Sequence, residues 1–235
     1  MRLRITFSKS GGLRYTGHLD MQTTWERVIR RAGLPLAYTQ GFHPGPRIQI
    51  ASALPLGFIG HAEIVDIWLQ ESVGVDLRVD PMTLQPAAPP GLTILCVEQV
   101  DEAGPALQTQ VDSAEYMATL LDPMDEAELA KRIAAVLDAE SLPRERRGKA
   151  YDLRPLIDEL RIMHPSPGAG LREALSWNGD TAVSKVVEGT QRVFMRLAAR
   201  PGATARPEEV LDVLGIPFEA ARIERTRLIL KTGLE

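Results

Sequence analysis

The 235-residue chain contains a single cysteine, Cys96. One thiol excludes a disulfide within the chain and any cysteine-based zinc or iron–sulfur site. Cys96 lies in the stretch LTILCVEQV and reads as a small buried hydrophobe in a reducing compartment, so the expected location is cytoplasmic. No apolar run approaches the roughly 20 residues that a bilayer span needs, and no membrane partner is expected. The opening residues MRLRITFSKSGG contain no apolar h-region, so no signal peptide is expected. No GxSxG is present, and the glycine spacings match neither a Walker loop nor a dinucleotide turn. His18, His43 and His61 lack HxxxH spacing and have no acidic cluster beside them. Neither a metal site nor a cofactor is expected.

Hydrophobic residues make up 44% and charged residues 25%, a globular balance with enough apolar surface to offset chain entropy. The net charge of −4 is unevenly distributed. Residues 1–60 carry +6, 61–111 carry −7, 112–143 carry −6 and 144–235 carry +3. The overall balance argues against a general nucleic-acid binder, whereas the basic first quarter suits a local anionic partner.

Leu3, Ile5 and Phe7 alternate with polar residues, which predicts a half-buried strand from Arg2 to Ser8. From Leu19 the period becomes helical, with Leu19, Met21, Trp25, Val28, Ile29 and Ala32 near one face, and Gly33 and Pro35 end the helix. Strands are predicted at 48–50, 62–70 and 92–100, with a weak helix at 75–84. Residues 101–110 read as a linker. A second cycle follows: a strand at 115–121, a helix at 122–142, strands at 157–163 and 193–198, a helix at 206–214 and a strand at 223–230. Both cycles have the order βαββαβ. The expected fold is therefore α+β, with two tandem ferredoxin-like domains at 1–105 and 112–235. Each is an antiparallel sheet with helices on one face, and the second carries an insert near 164–190.

Three blocks in the first half concentrate the chemistry. The first is KSGGLRYTGHLD, with Lys9, Arg14, Tyr15 and His18 between a strand and a helix. Backbone N–H groups at a helix start, with cations nearby, suit a phosphate or carboxylate. The other reading is structural, the glycines turning the chain and Thr16 or Asp20 capping the helix. His18 is also the one candidate for general acid–base work, with Lys9 or Tyr15 stabilising charge. The second block is WERVIRR, where Arg27 and Arg31 share a helix face that suits a phosphate backbone as well as plain solvation. The third is YTQGFHPGPR, in which Tyr38, Phe42 and His43 are able to stack on a base and Arg47 to hold a phosphate. Here the alternative is a rigid crossover with Phe42 as a core plug. In the second half, Arg147 and Lys149 form the best phosphate candidates, within RERRGK.

The runs RITFSKSGGLRYTGHLD, WERVIRRAGLPLAYTQGFHPGPRI and ALPLG, with KAYDLRPLI, ARPEEVLDVLG and IERTRLIL later, resemble the radical SAM-linked protein family. Members of that family are often fused to, or encoded beside, a radical SAM protein, sometimes near ribonuclease and ribosomal-protein genes. The resemblance implies an accessory role in an RNA- or translation-linked pathway, with a radical SAM protein as partner and RNA or a ribosomal component as the possible cargo. This chain has no CxxxCxxC triad and cannot hold the radical SAM cluster itself. The expected function is an RNA-binding or adaptor module without catalysis of its own. One alternative is a metal-independent endoribonuclease similar in architecture to the CRISPR repeat-RNA processing enzymes. The other is a protein-interaction partner that docks through the acidic middle and binds no RNA.

Overall fold

The computed structural model describes residues 1–70, 79–164 and 191–231. The architecture is α+β, with a large, mostly antiparallel sheet and helices. Two compact units divide it, one from Met1 to Val111 that also takes in Leu230 and Lys231, the other from Asp112 to Ile229.

The first unit contains β1 (Arg2–Lys9), α1 (His18–Arg31), β2 (Ile48–Ile50), β3 (Ile59–Trp68), α2 (Pro81–Leu84), β4 (Leu92–Val100) and α3 (Leu107–Gln110). The spatial order of its strands is β2, β3, β1, β4, each pair antiparallel. Leu3, Ile5 and Phe7 point to one side of β1 and are buried, as are Met21, Trp25, Val28 and Ile29 of α1, whereas Leu19 in its first turn, expected on the same face, is exposed. Phe7 meets Trp25 edge to face, with ring centroids 5.0 Å apart. Burying side chains of this size contributes about 2–3 kcal/mol each. Gly33 closes α1 with φ 71°, Leu34 N–H donating to Ile29 O at 3.1 Å and Gly33 N–H to Arg30 O at 3.1 Å. That double bond pattern needs a left-handed residue, which glycine supplies without a Cβ clash.

Pairing of Arg2 with Trp68 and Arg4 with Asp66 sets the other face of the β1–β3 ladder. Asp66 is fully buried and accepts from both arginines. Arg2 reaches it at 2.6 and 3.0 Å, and Arg4 at 2.9 Å through two nitrogens. Arg2 also donates to the carbonyls of Asp101, Gly104 and Pro105. These bonds correct the expectation of a linker at 101–110. The segment is tied to the first unit, and Leu107 within it is completely buried.

Cys96 is exposed rather than buried. Thr6 pairs with Cys96 but the next pair is Phe7 with Ile94, so β4 carries one extra residue between them. A bulge of this kind shifts the alternation of the strand by one. Leu92 and Ile94 face the core, whereas Leu95 and Cys96 do not. The segment 75–84, expected as a helix, forms α2 over its last four residues, and 71–78 lie outside the described residues.

The second unit contains β5 (Val111–Leu120), α4 (Glu126–Asp138), β6 (Pro143–Arg146), β7 (Lys149–Asp152), β8 (Ile157–Met163), β9 (Arg192–Arg200), β10 (Ala203–Thr204), α5 (Pro207–Val213) and β11 (Ala221–Leu230). In its sheet β5 lies between β11 and β9, and β9 also pairs with β8 and with the short β10. Asp125 caps α4, its carboxylate accepting from Glu128 N–H at 3.0 Å. The β6–β7 hairpin is absent from the sequence-based expectation, which had an extended segment at 149–156 after a basic turn. The insert expected near 164–190 lies, from residue 165 onward, outside the described residues.

Glu115 on β5 is this unit's counterpart of Asp66. It is buried and accepts from Arg196 at 2.7 and 3.1 Å and from Arg227 at 2.6 and 3.0 Å. Arg227 holds its carboxyl below the ordinary carboxylate value, burial acts against that, and Arg196 adds to the lowering.

Two outcomes follow from these clamps. Asp66→Ala leaves two guanidiniums without their carboxylate inside the protein and should cost about 3–5 kcal/mol in urea unfolding. A loss below about 1 kcal/mol would show that the clamp does not hold the unit together. Because the folded pKa of Glu115 is lowered, its contribution is present above the ordinary value of 4.5 and is lost as pH falls through the folded value. Glu115→Gln should therefore be less stable than the native chain at neutral pH and lose less stability on acidification, measured by thermal unfolding from pH about 7 to 3.

Candidate functional site

Helix α1 builds the basic surface. Its apolar stripe is turned inward, so the opposite side carries Arg27, Arg30 and Arg31, all exposed. Arg30 is held by Glu26 at 3.1 Å and by the Tyr38 hydroxyl at 2.8 Å. Tyr38 in turn donates to Glu26 at 3.1 Å. Arg27 and Arg31 make no hydrogen bond or ion pair with another described residue. Two solvated guanidiniums are thus left on a face where the third is fixed in place.

Tyr38 connects this helix to the adjoining loop. Tyr38 bridges to Pro46, Thr39 N–H donates to Gly45 O at 2.8 Å, and Gly45 N–H donates to the Thr39 hydroxyl at 3.0 Å. The chain between 39 and 45 is closed into a short projecting loop. Phe42 and His43 occupy its tip, and Phe42 is 102% exposed. The core-plug reading of Phe42 is therefore wrong. Pro44 and Pro46 fix φ at their own positions on the return of the loop. Arg47, at the foot of the loop, stacks over Trp68 at 4.8 Å and lies 3.9 Å from Glu102. The other face of Trp68's cation–π pairing is Arg2, at 4.7 Å.

The remaining first-half candidates separate from this cluster. Lys9 is buried, and its ammonium donates to the carbonyl of Thr16 at 2.7 Å. It supports the turn from inside rather than presenting charge to a ligand. Arg14 and Tyr15 lie in a 3-10 turn (Gly11–Tyr15), the guanidinium over the ring at 4.8 Å, with Tyr15 exposed. Ser10 N–H donates to Gly91 O at 2.9 Å, an approach so close that a Cβ on Gly91 would lie 2.4 Å from Ser10 O. His18 is the first residue of α1, and Gly17, not Thr16 or Asp20, stands at the N-cap without a side-chain cap. At about 1.5 Å per residue, His18 and Arg31 are roughly 20 Å apart along the helix. Lys9, Arg14, His18, Arg27 and Arg31 consequently do not converge on one anion. With Lys9 turned inward, one of the two groups expected to stabilise charge beside His18 is unavailable.

In the second unit, Arg147 and Lys149 sit at the turn of the β6–β7 hairpin and are exposed. Arg147 itself has φ 54°. The hairpin's other arginines are anchored. Arg144 meets Asp212 at 2.9 Å, and Arg146 meets Glu209 at 2.5 Å, the Thr204 carbonyl at 2.9 Å and Tyr151. Burial, followed by Glu209, pushes the Tyr151 hydroxyl up from its ordinary value. A shallow cleft of about 400 Å³ lies beside it, lined by Arg146, Tyr151, Asp152, Leu156 and Thr204 among others.

Sequence reasoning missed Arg30 as the link between helix and loop. The i,i+4 spacing of Glu26 and Arg30 carried part of that signal, but Tyr38 is remote in sequence. Among the described residues no three His, Cys, Asp or Glu side chains gather as metal ligands. Nor is any described helix long and apolar enough to cross a membrane.

These features define an α+β protein with a basic helix face and an exposed, aromatic-tipped loop. The chain belongs to a family of uncharacterized proteins conserved in bacteria, DUF2344, whose model matches residues 2–196. No curated protein matches it.

Tyr38→Phe removes both bonds that tie the loop to α1 while keeping the ring. Amide exchange at Thr39 and Gly45 should quicken several-fold in that variant, with urea stability changed by only about 1 kcal/mol. Unchanged exchange would mean that the loop holds itself without the helix.

Proposed function

We propose that the protein is an RNA-binding or adaptor module that works with a radical SAM protein in an RNA- or translation-linked pathway in the cytoplasm. The observation that carries the RNA reading is the pair Arg27 and Arg31, exposed on one face of α1 with no described partner. Guanidiniums without a carboxylate retain their charge for a phosphate backbone, and each contact releases condensed counterions. Arg147 and Lys149 are the corresponding solvent-facing cations of the second unit. The link to a radical SAM protein rests on the sequence resemblance.

The fold reading that accompanies this proposal is two ferredoxin-like domains in tandem, close to 1–105 and 112–235, each with its helices on one face of its sheet. The strand orders support it. In ladder order the first unit runs second, third, first, fourth strand, and the second unit runs β8, β9, β5, β11 in the same sense. That is the arrangement a βαββαβ chain takes when its two central strands are the first and third.

Arg27→Glu combined with Arg31→Glu tests the proposal in a filter-binding titration against cellular RNA at several salt concentrations. Retention should be lost at physiological salt. Replacing the pair by alanine should make the slope of log K against log salt shallower by about 1.4, two phosphate contacts on a single strand. Equal binding by the native chain and both variants would overturn the assignment of these arginines to RNA.

A further inference from the structure

We infer that the RNA is bound as an unpaired strand, with Phe42 and His43 stacking on exposed bases while Arg27 and Arg31 hold the backbone. This inference rests on the RNA-binding reading above and names the class of RNA. Phe42 has the whole of its ring in solvent, at 102% exposure, at the tip of the 39–45 loop. Thr39 and Gly45 cross-bond at 2.8 and 3.0 Å, and Tyr38 pins the foot of the loop to Glu26 and Arg30 on the same helix as the free arginines. The foot of the aromatic-tipped loop is therefore hydrogen-bonded to the helix that carries the cations.

A ring so placed has a flat π-face and no polar group. It is unable to read a base edge by hydrogen bonding, but it stacks on any base whose face is accessible. In a duplex those faces are covered by neighbouring pairs, and the base edges of an A-form helix lie in a groove that a loop ring does not read by stacking. An unpaired strand offers both the face and a flexible phosphate chain. The Thr39–Gly45 bonds close the foot of the loop before any strand arrives, which limits the ordering that binding has to supply. Two other members of the YTQGFHPGPR block drop out on geometry. Tyr38 is half-buried with its hydroxyl engaged, and Arg47 is stacked on Trp68. The single-strand signal is thus confined to the tip.

Binding of the full chain is measured by fluorescence anisotropy with two labelled probes, an oligouridylate of about twelve nucleotides and a duplex RNA of the same length. The native chain should prefer the single strand. Phe42→Ala should weaken single-strand binding about tenfold or more, with duplex binding unchanged, and Phe42→Trp should restore it. If the native chain binds RNA but Phe42→Ala binds the single strand as well as the native chain does, the stacking inference is overturned while the RNA reading stands. Equal affinity for the two probes has the same meaning. If the native chain binds neither probe, both readings fall. Loss of a protein partner in Phe42→Ala, with single-strand affinity unaltered, assigns the tip to protein contact and also overturns the inference. Thermal unfolding at native temperature for both variants keeps the comparison free of folding defects, and the ring's full exposure makes that the expected result.

Discussion

The carboxylate of Asp66, enclosed by the guanidiniums of Arg2 and Arg4, is the constraint on which the first unit depends. A buried charge of this kind is costly unless its partners are held in good geometry. The register of β1 against β3 provides that geometry, because Arg4 lies directly opposite Asp66. Consequences then run outward from it. With Arg2 fixed, its Nη1 donates to the carbonyls of Asp101 and Gly104, and Nη2, shared with Asp66, donates to that of Pro105, which binds the 101–105 stretch to the sheet. The same side chain lies over Trp68, whose ring also carries Arg47. Arg47 begins the return from the projecting loop, its N–H donating to Ala37 O at 2.9 Å. A line of contacts thus joins the buried clamp to the foot of the loop bearing Phe42. The foot of the loop is held from two sides, by the Arg2, Trp68 and Arg47 contacts and by Tyr38 against Glu26 and Arg30 of α1.

A second carboxylate, Glu115, is held by two arginines in the second unit, again from opposing strands or their neighbours. The repetition has a physical meaning. In each unit a carboxylate buried in the sheet is neutralised by two guanidiniums. Such clamps fix strand register more strictly than apolar contacts, since a one-residue slip would separate the charges.

Much of the element order was legible in the sequence, because Leu3, Ile5 and Phe7, or Met21, Trp25, Val28 and Ile29, carry the period of their element directly. Three features were not. Cys96 was misread because a bulge in β4 breaks the alternation, and nothing local marks it. The β6–β7 hairpin was missed because its turn uses Arg147-Gly148, with φ of 54° and 73°, rather than the Asn-Gly or Asp-Gly that signals such a turn. Residues 101–110 looked like a linker because proline and glycine are common in linkers. Their carbonyls are held by Arg2, a hundred residues away, and long-range bonds leave no local pattern. The candidate site divides in the same way. Charge and aromatic content were visible, so the sequence singled out Arg27, Arg31, Phe42 and His43, all of which the structure leaves exposed. Burial was not, so Lys9, whose ammonium is turned to Thr16, was grouped with them.

Ultraviolet crosslinking of the protein to RNA in its own cells, with the attached peptides identified by mass spectrometry, tests the central claim most directly. The account predicts a defined RNA class and crosslinks concentrated in peptides that contain Phe42 and His43, with further sites on α1 near Arg27 and Arg31. Crosslinks that avoid that loop and helix, or a pull-down containing protein partners but no RNA, would contradict it.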